Sequence, residues 1–223
     1  MSEHKNTVEL IGWYGGDEAH ALSAWTSTSR DITPEKRARI PKLLKQLAEA
    51  GHHTPFEKSS LHFLVKSEVA SHIHKLKHRI GISINGESAR YKEIKEDSFY
   101  IPEDWPLHLQ QALEEHTQKG LDLYHSSLKA LESHGIDRKR AKESARFFRG
   151  YNTQSTVDIM FNFRSFYHFL HLRNKIDAQK EIREIAAEML RQVVAIEGAP
   201  FAETIRAFGL DSATDSSNIP ATP

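Results

Sequence analysis

The spacing of apolar residues predicts that helices make up most of this chain. Apolar positions recur at helical intervals over two long segments, 107–134 and 177–197. Gly135 follows the first segment and Gly198 follows the second, as is typical of helix C-termini. Shorter helices are predicted for residues 17–25, from Thr33-Pro34 to Gly51, for 68–79, from Asp137 to about Phe148, and for 166–173.

The predicted helix 68–79 has a clear division into two faces. Val69, Ile73 and Leu76 stand at positions i, i+4 and i+7, which favours an apolar face. The remaining face carries the polar and basic residues His72, Lys75 and Arg79. We therefore expect the apolar face to lie against the protein and the basic face to be available to a ligand.

Strand signals are fewer than helix signals. Residues 8–15, 60–66 and 156–163 have the alternation or the β-branched and aromatic composition of strands. Asn85-Gly86 predicts a loop, and Asp104 is a candidate cap for the long helix. Because no linker divides this inventory, it predicts a helix-rich α+β fold in a single domain, residues 1–210. Residues 211–223 are small, polar and contain proline, so they predict a disordered tail.

Composition excludes several classes of function. The 30 basic and 30 acidic residues balance, which argues against a protein that coats nucleic acid. No run of 18 apolar residues and no N-terminal signal pattern are found, so we expect no membrane partner and a cytoplasmic location, or a host cytoplasm for a viral source. The chain has no cysteine, so thiolate catalysis, disulfides and cysteine-zinc sites are excluded.

A basic stretch, residues 75–91, is the first candidate site. Lys75, Lys77, Arg79 and Arg90 outnumber the single acid, Glu87, and stand among small polar residues. Guanidinium and ammonium groups beside exposed backbone suit an anionic ligand such as a phosphate. A solvated basic turn between two elements is an equally open interpretation.

Two further segments offer ligand-binding chemistry. Asn162 and Arg164 precede an aromatic helix, where an amide and a guanidinium suit the edge of an adenine or a flavin. The loop 51–57 combines histidine, threonine and glutamate. Each segment is also consistent with a purely structural role, as an aromatic core helix and a hydrogen-bonded loop. The pairs His72-x-His74 and His168-x-x-His171 lack a third ligand at a strong spacing, so no metal is expected.

Four motifs in order resemble the flavin-dependent thymidylate synthases, also called the ThyX-type family. They are Gly51-His52-His53-Thr54-Pro55-Phe56-Glu57, then Lys77-His78-Arg79 with Ser88-Ala89-Arg90-Tyr91, then Ala145-Arg146, and finally Asn162-Phe163-Arg164-Ser165 continuing through Arg173 to Arg183. Four features differ from the family pattern. Lys77 replaces an arginine, one residue is inserted between Arg79 and Ser88, Gly86-Glu87 precedes the serine, and Phe148-Arg149 stands where the family commonly has Leu-Pro.

The resemblance implies a fold and a reaction. The fold is that of the family, with a small, mostly antiparallel sheet. The reaction is reductive methylation of dUMP to dTMP, with 5,10-methylenetetrahydrofolate as carbon donor and FAD reduced by NADPH as hydride source. It also implies a homotetramer whose active sites are shared between chains. The missing cysteine agrees with a route that uses no thiolate.

The resemblance also assigns roles to individual residues. Arg173 would polarise the pyrimidine, and His52 would lie on the folate side. The residues implied for flavin binding are Thr54, Glu57, Lys77, His78, Arg79, Asn162, Phe163, Arg164 and His168. Those implied for nucleotide binding are His74, Lys75, Leu76, Lys77, Glu87, Ser88, Ala89, Arg90, Arg146 and Arg173.

Two alternatives stay open at the level of sequence. The changes near Gly86-Glu87 are compatible with a related flavin-dependent methylase or hydroxymethylase acting on UMP or dCMP. A nucleotide- or nucleic-acid-binding module without catalysis could use the same basic stretch, although the zero net charge gives it no support and no nucleic-acid partner is expected.

Overall fold

A computed structural model describes residues 5–29, 31–88, 93 and 96–211. The chain forms two compact units. Unit 1 consists of Met1–Thr7, Val65–Leu76 and Asn85–Val157, and unit 2 of Val8–Leu64, Lys77–Ile84 and Asp158–Pro223. The single domain expected for residues 1–210 stays a prediction. Each strand contributes residues to both units. Apart from Asp211, the predicted tail lies outside the described residues.

Four strands form one small antiparallel sheet, which confirms the α+β class. In chain order they are β1 (Thr7–Tyr14), β2 (Ser60–Glu68), β3 (Ile82–Gly86) and β4 (Gln154–Phe161), and in the sheet the order is β1-β2-β4-β3. The face of β2 that alternation predicted to be apolar is fully buried at Leu61, Phe63 and Val65. Among the described residues, no helix has the length and apolar character needed to cross a membrane.

Unit 1 is built around a long helix. Its helices are α3 (Val69–Leu76), α4 (Leu107–Ser133) and α5 (Arg138–Ala145), followed by a 3₁₀ turn at Arg146–Phe148. Tyr124 and Leu128 of α4 pack with Ala141 and Ala145 of α5, so the two helices share a core. Asp137 caps α5 as predicted, through bonds from the backbone N–H groups of Lys139 and Arg140. The predicted cap at Asp104 is wrong, because α4 begins after Pro106.

Unit 2 has an aromatic core. Its helices are α1 (Asp17–Trp25), α2 (Pro34–Glu49), α6 (Phe163–Arg173), α7 (Lys180–Val194) and α8 (Ala202–Ala207), with a 3₁₀ turn at Thr54–Glu57. Phe56, Phe163, Phe166 and Phe201 are fully or almost fully buried in it. The short helix α8 was not predicted, because six residues are too few to show a helical period.

The region around residues 68–86 differs from the prediction in two ways. Helix α3 ends at Leu76 rather than Arg79, and the predicted loop at Asn85-Gly86 is the end of strand β3. The faces of α3 are also reversed. Lys75 and Ser71 are fully buried, whereas Ile73 and Leu76 are 41% and 48% exposed. The expected exposure of Lys75 is therefore wrong.

Candidate active site

One pocket in unit 2, of about 470 Å³, collects four of the residues predicted to bind flavin. Glu57 comes from the 3₁₀ turn, and Asn162, Arg164 and His168 come from the start and middle of α6. His53 and Tyr167 also line this pocket and were missed. A single histidine next to a predicted histidine, or a tyrosine within an aromatic helix, carries no signal in the sequence that separates it from its neighbours.

Arg164 and Glu57 form an ion pair at the wall of this pocket. The pair joins the 3₁₀ turn to the first turn of α6, over a separation of 107 residues. A carboxylate bound to the guanidinium holds it in one orientation and leaves its other N–H groups free to point elsewhere. This pair therefore orients a fork of donors toward the pocket.

The N-terminus of α6 is closed by Asn162 and Gly81. The Asn162 side chain accepts a hydrogen bond from Ser165 N at 2.8 Å, which caps the helix. Gly81 has φ +70°, and a Cβ there would stand 2.5 Å from Asn162 Nδ2. Ser165 Oγ donates to the Gly81 carbonyl at 2.7 Å. Only glycine fits this contact, so the backbone before β3 and the start of α6 lie directly against each other.

Arg173 at the end of α6 is held by His78. Its Nε donates to His78 Nε2 at 3.0 Å. Because arginine only donates, Nε2 is the unprotonated nitrogen of a neutral His78. His78 is almost fully buried, and its ring contacts His168 and Phe169. Burial lowers the pKa of Arg173, but a guanidinium stays charged at neutral pH. The structure thus connects the predicted catalytic cation to two predicted flavin residues.

The remaining predicted residues of unit 2 lie outside the lining of this pocket. His52, Thr54, Lys77 and Arg79 are exposed. The side chain of Phe163 is fully buried against other rings, so it supports the core. The binding roles of all these residues stay predictions.

A second pocket, of about 570 Å³, lies within unit 1. It brings together two residues predicted to bind nucleotide, Glu87 and Arg146. Arg149 and Gln154 line the same pocket and were missed. A basic residue three positions after Arg146 was a usable signal for Arg149, because a helical turn places such residues side by side. A buried glutamine at the start of a strand offers no such signal.

The other predicted nucleotide residues of unit 1 are more scattered. The Lys75 ammonium is buried and donates to Ser67 Oγ, so it does not reach a ligand surface. Burial lowers its pKa to about 8, against a smaller opposing effect of Glu68. His74, Leu76 and Ser88 are partly or largely exposed and do not line the pocket. Ala89 and Arg90 lie outside the described residues.

Metal binding finds no support in the described part of the chain. There, no group of three or more histidine, cysteine, aspartate or glutamate side chains is arranged to hold an ion.

Comparison with known proteins decides the family. The family described as thymidylate synthase complementing protein matches residues 9–199. The chain belongs to this family. Its match covers both pockets and all four motifs, so the resemblance inferred from the motifs is confirmed.

Known proteins are similar to this chain over most of its length. A flavin-dependent thymidylate synthase from Thermosipho africanus is 35% identical over 198 residues, covering 82% of this chain and 83% of the relative. One from Pseudothermotoga lettingae is 33% identical over 184 residues, covering 80% of each. A solved structure of the UMP/dUMP methylase PolB from Streptomyces cacaoi, bound with 5-Br dUMP, has a TM-score of 0.75 and 25% identity, and covers 92% of this chain and 95% of that one.

Proposed function

We propose that this chain is a flavin-dependent thymidylate synthase that converts dUMP to dTMP. The observation that carries the proposal is the family match over residues 9–199, supported by relatives of that name at 33% and 35% identity. The carbon donor is 5,10-methylenetetrahydrofolate, and NADPH reduces the flavin. The reaction takes place in the cytoplasm.

The unit 2 pocket has the donor set that FAD requires. A flavin ring presents carbonyl and nitrogen acceptors along one edge, and a dinucleotide adds phosphate oxygens. Asn162, Arg164 and His168 supply amide, guanidinium and imidazole groups within one pocket. At Gly81 the pocket is lined by backbone alone, because any side chain there would meet Asn162. When bound, FAD supplies the hydride, and these residues bind and orient it.

The chain's own contribution to the chemistry is electrostatic. Arg173 offers a fixed positive charge for the negative charge that develops on the pyrimidine. His78 holds the guanidinium at one nitrogen, so its remaining donors have a defined direction. No cysteine is present to act as a thiolate nucleophile, which agrees with a mechanism in which the cofactor carries the difficult step.

The nucleotide is bound by Arg146 and Glu87 in the unit 1 pocket, together with Ser88, Ala89 and Arg90 of the signature. Arg146 suits a phosphate, and a carboxylate such as Glu87 suits the N–H or O–H groups of a nucleoside. The tetramer is part of the proposal. It is supported by Ile73 and Leu76, which are exposed on α3 although they are large and apolar.

A flavin and product assay tests this function. The purified protein is expected to be yellow, to hold FAD, and to oxidise reduced flavin in a manner that depends on dUMP. With methylenetetrahydrofolate it should release dTMP, identified by mass spectrometry. A colourless protein that takes up no FAD would exclude the proposal.

A second candidate, a UMP methylase, is favoured by one specific observation. A structural neighbour at 25% identity is described as a UMP/dUMP methylase. Products formed from dUMP, UMP and dCMP under identical conditions separate the candidates. Turnover of UMP at a rate equal to or above that of dUMP would favour the UMP methylase, and a hydroxymethyl product would identify a hydroxymethylase.

A further inference from the structure

Arg149 is a cation in the unit 1 pocket that the family signature does not use. Its Nε and Nη2 atoms are buried, and neither has a hydrogen-bond partner among the described residues. A buried donor without a partner destabilises the folded state, because it has lost its hydrogen bonds to water. Such groups in residues that line a pocket are candidates for ligand contacts, because a ligand can supply the hydrogen bonds that the donors lost on folding.

The position of Arg149 is fixed by its surroundings in unit 1. The Phe148 carbonyl lies so close to Gly120 of α4 that a Cβ there would stand 2.5 Å from it. Arg149 N donates to Arg146 O at 3.1 Å, which closes the 3₁₀ turn. The guanidinium carbon lies 5.9 Å from the centre of the Tyr124 ring. Backbone packing and a cation–π contact therefore hold this side chain in one place.

The charge around Arg149 favours an anion. Burial lowers the pKa of Arg149, and Tyr124, Asp97 and Glu87 oppose that effect. Neither carboxylate hydrogen-bonds to the two orphaned nitrogens. Among the described residues that line the pocket, the charged side chains are Arg146, Arg149 and Glu87, so positive charge exceeds negative charge by one.

Gln154 narrows the class of ligand. It is 4% exposed, and its Oε1 has no hydrogen-bond partner among the described residues. Its Nε2 donates to Lys5 O at 2.9 Å and to Asn6 Oδ1 at 3.0 Å. Because the Lys5 carbonyl can only accept, the amide cannot be flipped, and Oε1 is a fixed acceptor. Residues that line the pocket thus carry orphaned donors and an orphaned acceptor, a combination that suits a nucleotide better than a simple anion.

We propose that Arg149 binds the phosphate of the pyrimidine nucleotide substrate, with Gln154 Oε1 accepting from an N–H or O–H group of the same ligand. This inference rests on the proposed function, because it takes the nucleotide to be the occupant of the unit 1 pocket. Arg149 then acts as a second arginine beside Arg146, and its planar fork can contact two phosphate oxygens at once.

The test compares a phosphorylated with an unphosphorylated ligand. Calorimetric titration of the FAD-loaded protein with dUMP, and displacement of dUMP by deoxyuridine, give affinities for wild type, Arg149→Gln and Arg149→Lys. Arg149→Gln is expected to weaken dUMP binding roughly 10- to 100-fold and to leave deoxyuridine within about twofold. Arg149→Lys should fall between them, because lysine keeps the charge and loses the fork.

Matched controls distinguish a contact with the phosphate of dUMP from a contact with the phosphates of FAD or NADPH. Arg140→Gln removes an exposed arginine of unit 1 outside the pocket and should change neither affinity. FAD content and the KM for NADPH should also stay unchanged in Arg149→Gln. A rise in the KM for NADPH without a change for dUMP would overturn the assignment to the substrate. Should the glutamine variant fail to fold, the lysine variant carries the same comparison.

Different results would overturn the proposed function and the assignment of Arg149. If wild type bound neither dUMP nor UMP, the proposed function would fall, and this inference with it. If wild type bound and methylated dUMP while Arg149→Gln bound dUMP equally well, only the inference would fall. Equal weakening for dUMP and deoxyuridine would also overturn it, because the phosphate would then not be the group that Arg149 contacts.

Discussion

At the scale of single residues, Arg173 and His78 are the most informative pair. They are 95 positions apart in the chain and share a hydrogen bond. Because Nε2 of His78 accepts this bond, the proton of the neutral ring is on Nδ1. A guanidinium held in this way loses little further conformational entropy when it meets a developing negative charge. Such preorganisation is the condition for strong electrostatic stabilisation.

Replacing Arg173 should therefore separate catalysis from folding. Arg173→Ala is expected to keep FAD and the midpoint of thermal unfolding within a few degrees, and to lower kcat by about 10²–10³-fold. Stopped-flow oxidation of reduced flavin in the presence of dUMP measures the loss. Arg191→Ala, an exposed arginine of α7 paired with Glu188, is the matched control. Full activity in Arg173→Ala would remove Arg173 from the mechanism.

Lys75 is a residue whose burial the sequence could not predict. Lysine is almost never fully buried, so pattern alone places it on a surface. Here its ammonium is enclosed in unit 1 and donates to Ser67 Oγ. By contrast, the capping role of Asp137 and the apolar face of β2 were predictable, because each follows from local chemistry or from a period of two.

The buried ammonium of Lys75 should cost stability at neutral pH. Its pKa falls from 10.5 unfolded to about 8 folded, so below pH 8 the folded state carries a penalty of about 3 kcal/mol. The penalty is relieved as pH rises from 8 to 10.5. Lys75→Met should therefore be more stable than wild type at pH 7, by about 1–3 kcal/mol, with the difference shrinking toward pH 10.

Urea unfolding of both proteins at pH 7, 8, 9 and 10 measures this difference. The same variant tests the predicted nucleotide contact, since a lysine that binds no ligand can be replaced without loss of dUMP affinity. A Lys75→Met protein less stable than wild type at every pH would contradict the argument.

At the scale of elements, the errors of prediction are concentrated between α3 and β3. The segment after Leu76 kept a helical pattern through Arg79, yet Gly81 takes φ +70° to meet Asn162. Strand β3 has only five residues, and its partner β4 lies about 70 positions later. A short strand is stabilised by that pairing and not by its own sequence, so Asn85-Gly86 looked like a turn. The long helices α4 and α7 needed no distant partner to be recognised.

Helices α1 and α8 are joined by a buried polar chain. Thr204 Oγ1 donates to Asp17 Oδ1 at 2.6 Å, so it must accept from His20 Nδ1, 2.9 Å away. Burial lowers the pKa of His20 from 6.5 to about 4, so the ring is neutral at pH 7. Because its proton is on Nδ1, Nε2 accepts from Ser59 Oγ at 2.9 Å.

Acid should therefore weaken unit 2 through His20. Above pH 6.5 His20 is neutral in both states, and as pH falls toward 4 only the unfolded state takes the proton. Wild type should lose up to about 3 kcal/mol across this range through His20. Asp17 acts in the opposite direction, since burial raises its pKa and the folded state takes its proton first.

A comparison with His20→Gln isolates the histidine contribution, because Asp17 is present in both proteins. The variant is expected to be less stable at pH 7 by about 1–3 kcal/mol, and to lose less stability than wild type between pH 6.5 and 4.5. Urea unfolding at four pH values gives both slopes. Parallel slopes would show that His20 does not titrate in this interval.

At the scale of the whole molecule, the proposed function assigns FAD to the pocket in unit 2 and the nucleotide to the pocket in unit 1. The motifs in the chain predicted residues that line each pocket, four of them in unit 2 and two in unit 1. They did not predict Arg149, although the spacing of Arg149 from Arg146 was a usable signal. They also did not predict Gln154, which becomes visible only when the start of β4 is placed at this pocket. Orphaned polar atoms are a property of packing, so no sequence pattern reports them.

Helix α3, whose apolar residues are exposed, allows a test of the proposed tetramer. Ile73 and Leu76 are exposed while Lys75 is enclosed, an arrangement that makes sense if a second copy of the chain covers the apolar side. Light scattering should give four times the 25.5 kDa chain mass for wild type. Leu76→Asp places a charge in that contact and should yield a smaller species, whereas Leu76→Met, which keeps an apolar side chain of similar volume, should remain tetrameric. A Leu76→Asp protein of unchanged mass would mean that this side of α3 faces solvent in the assembly.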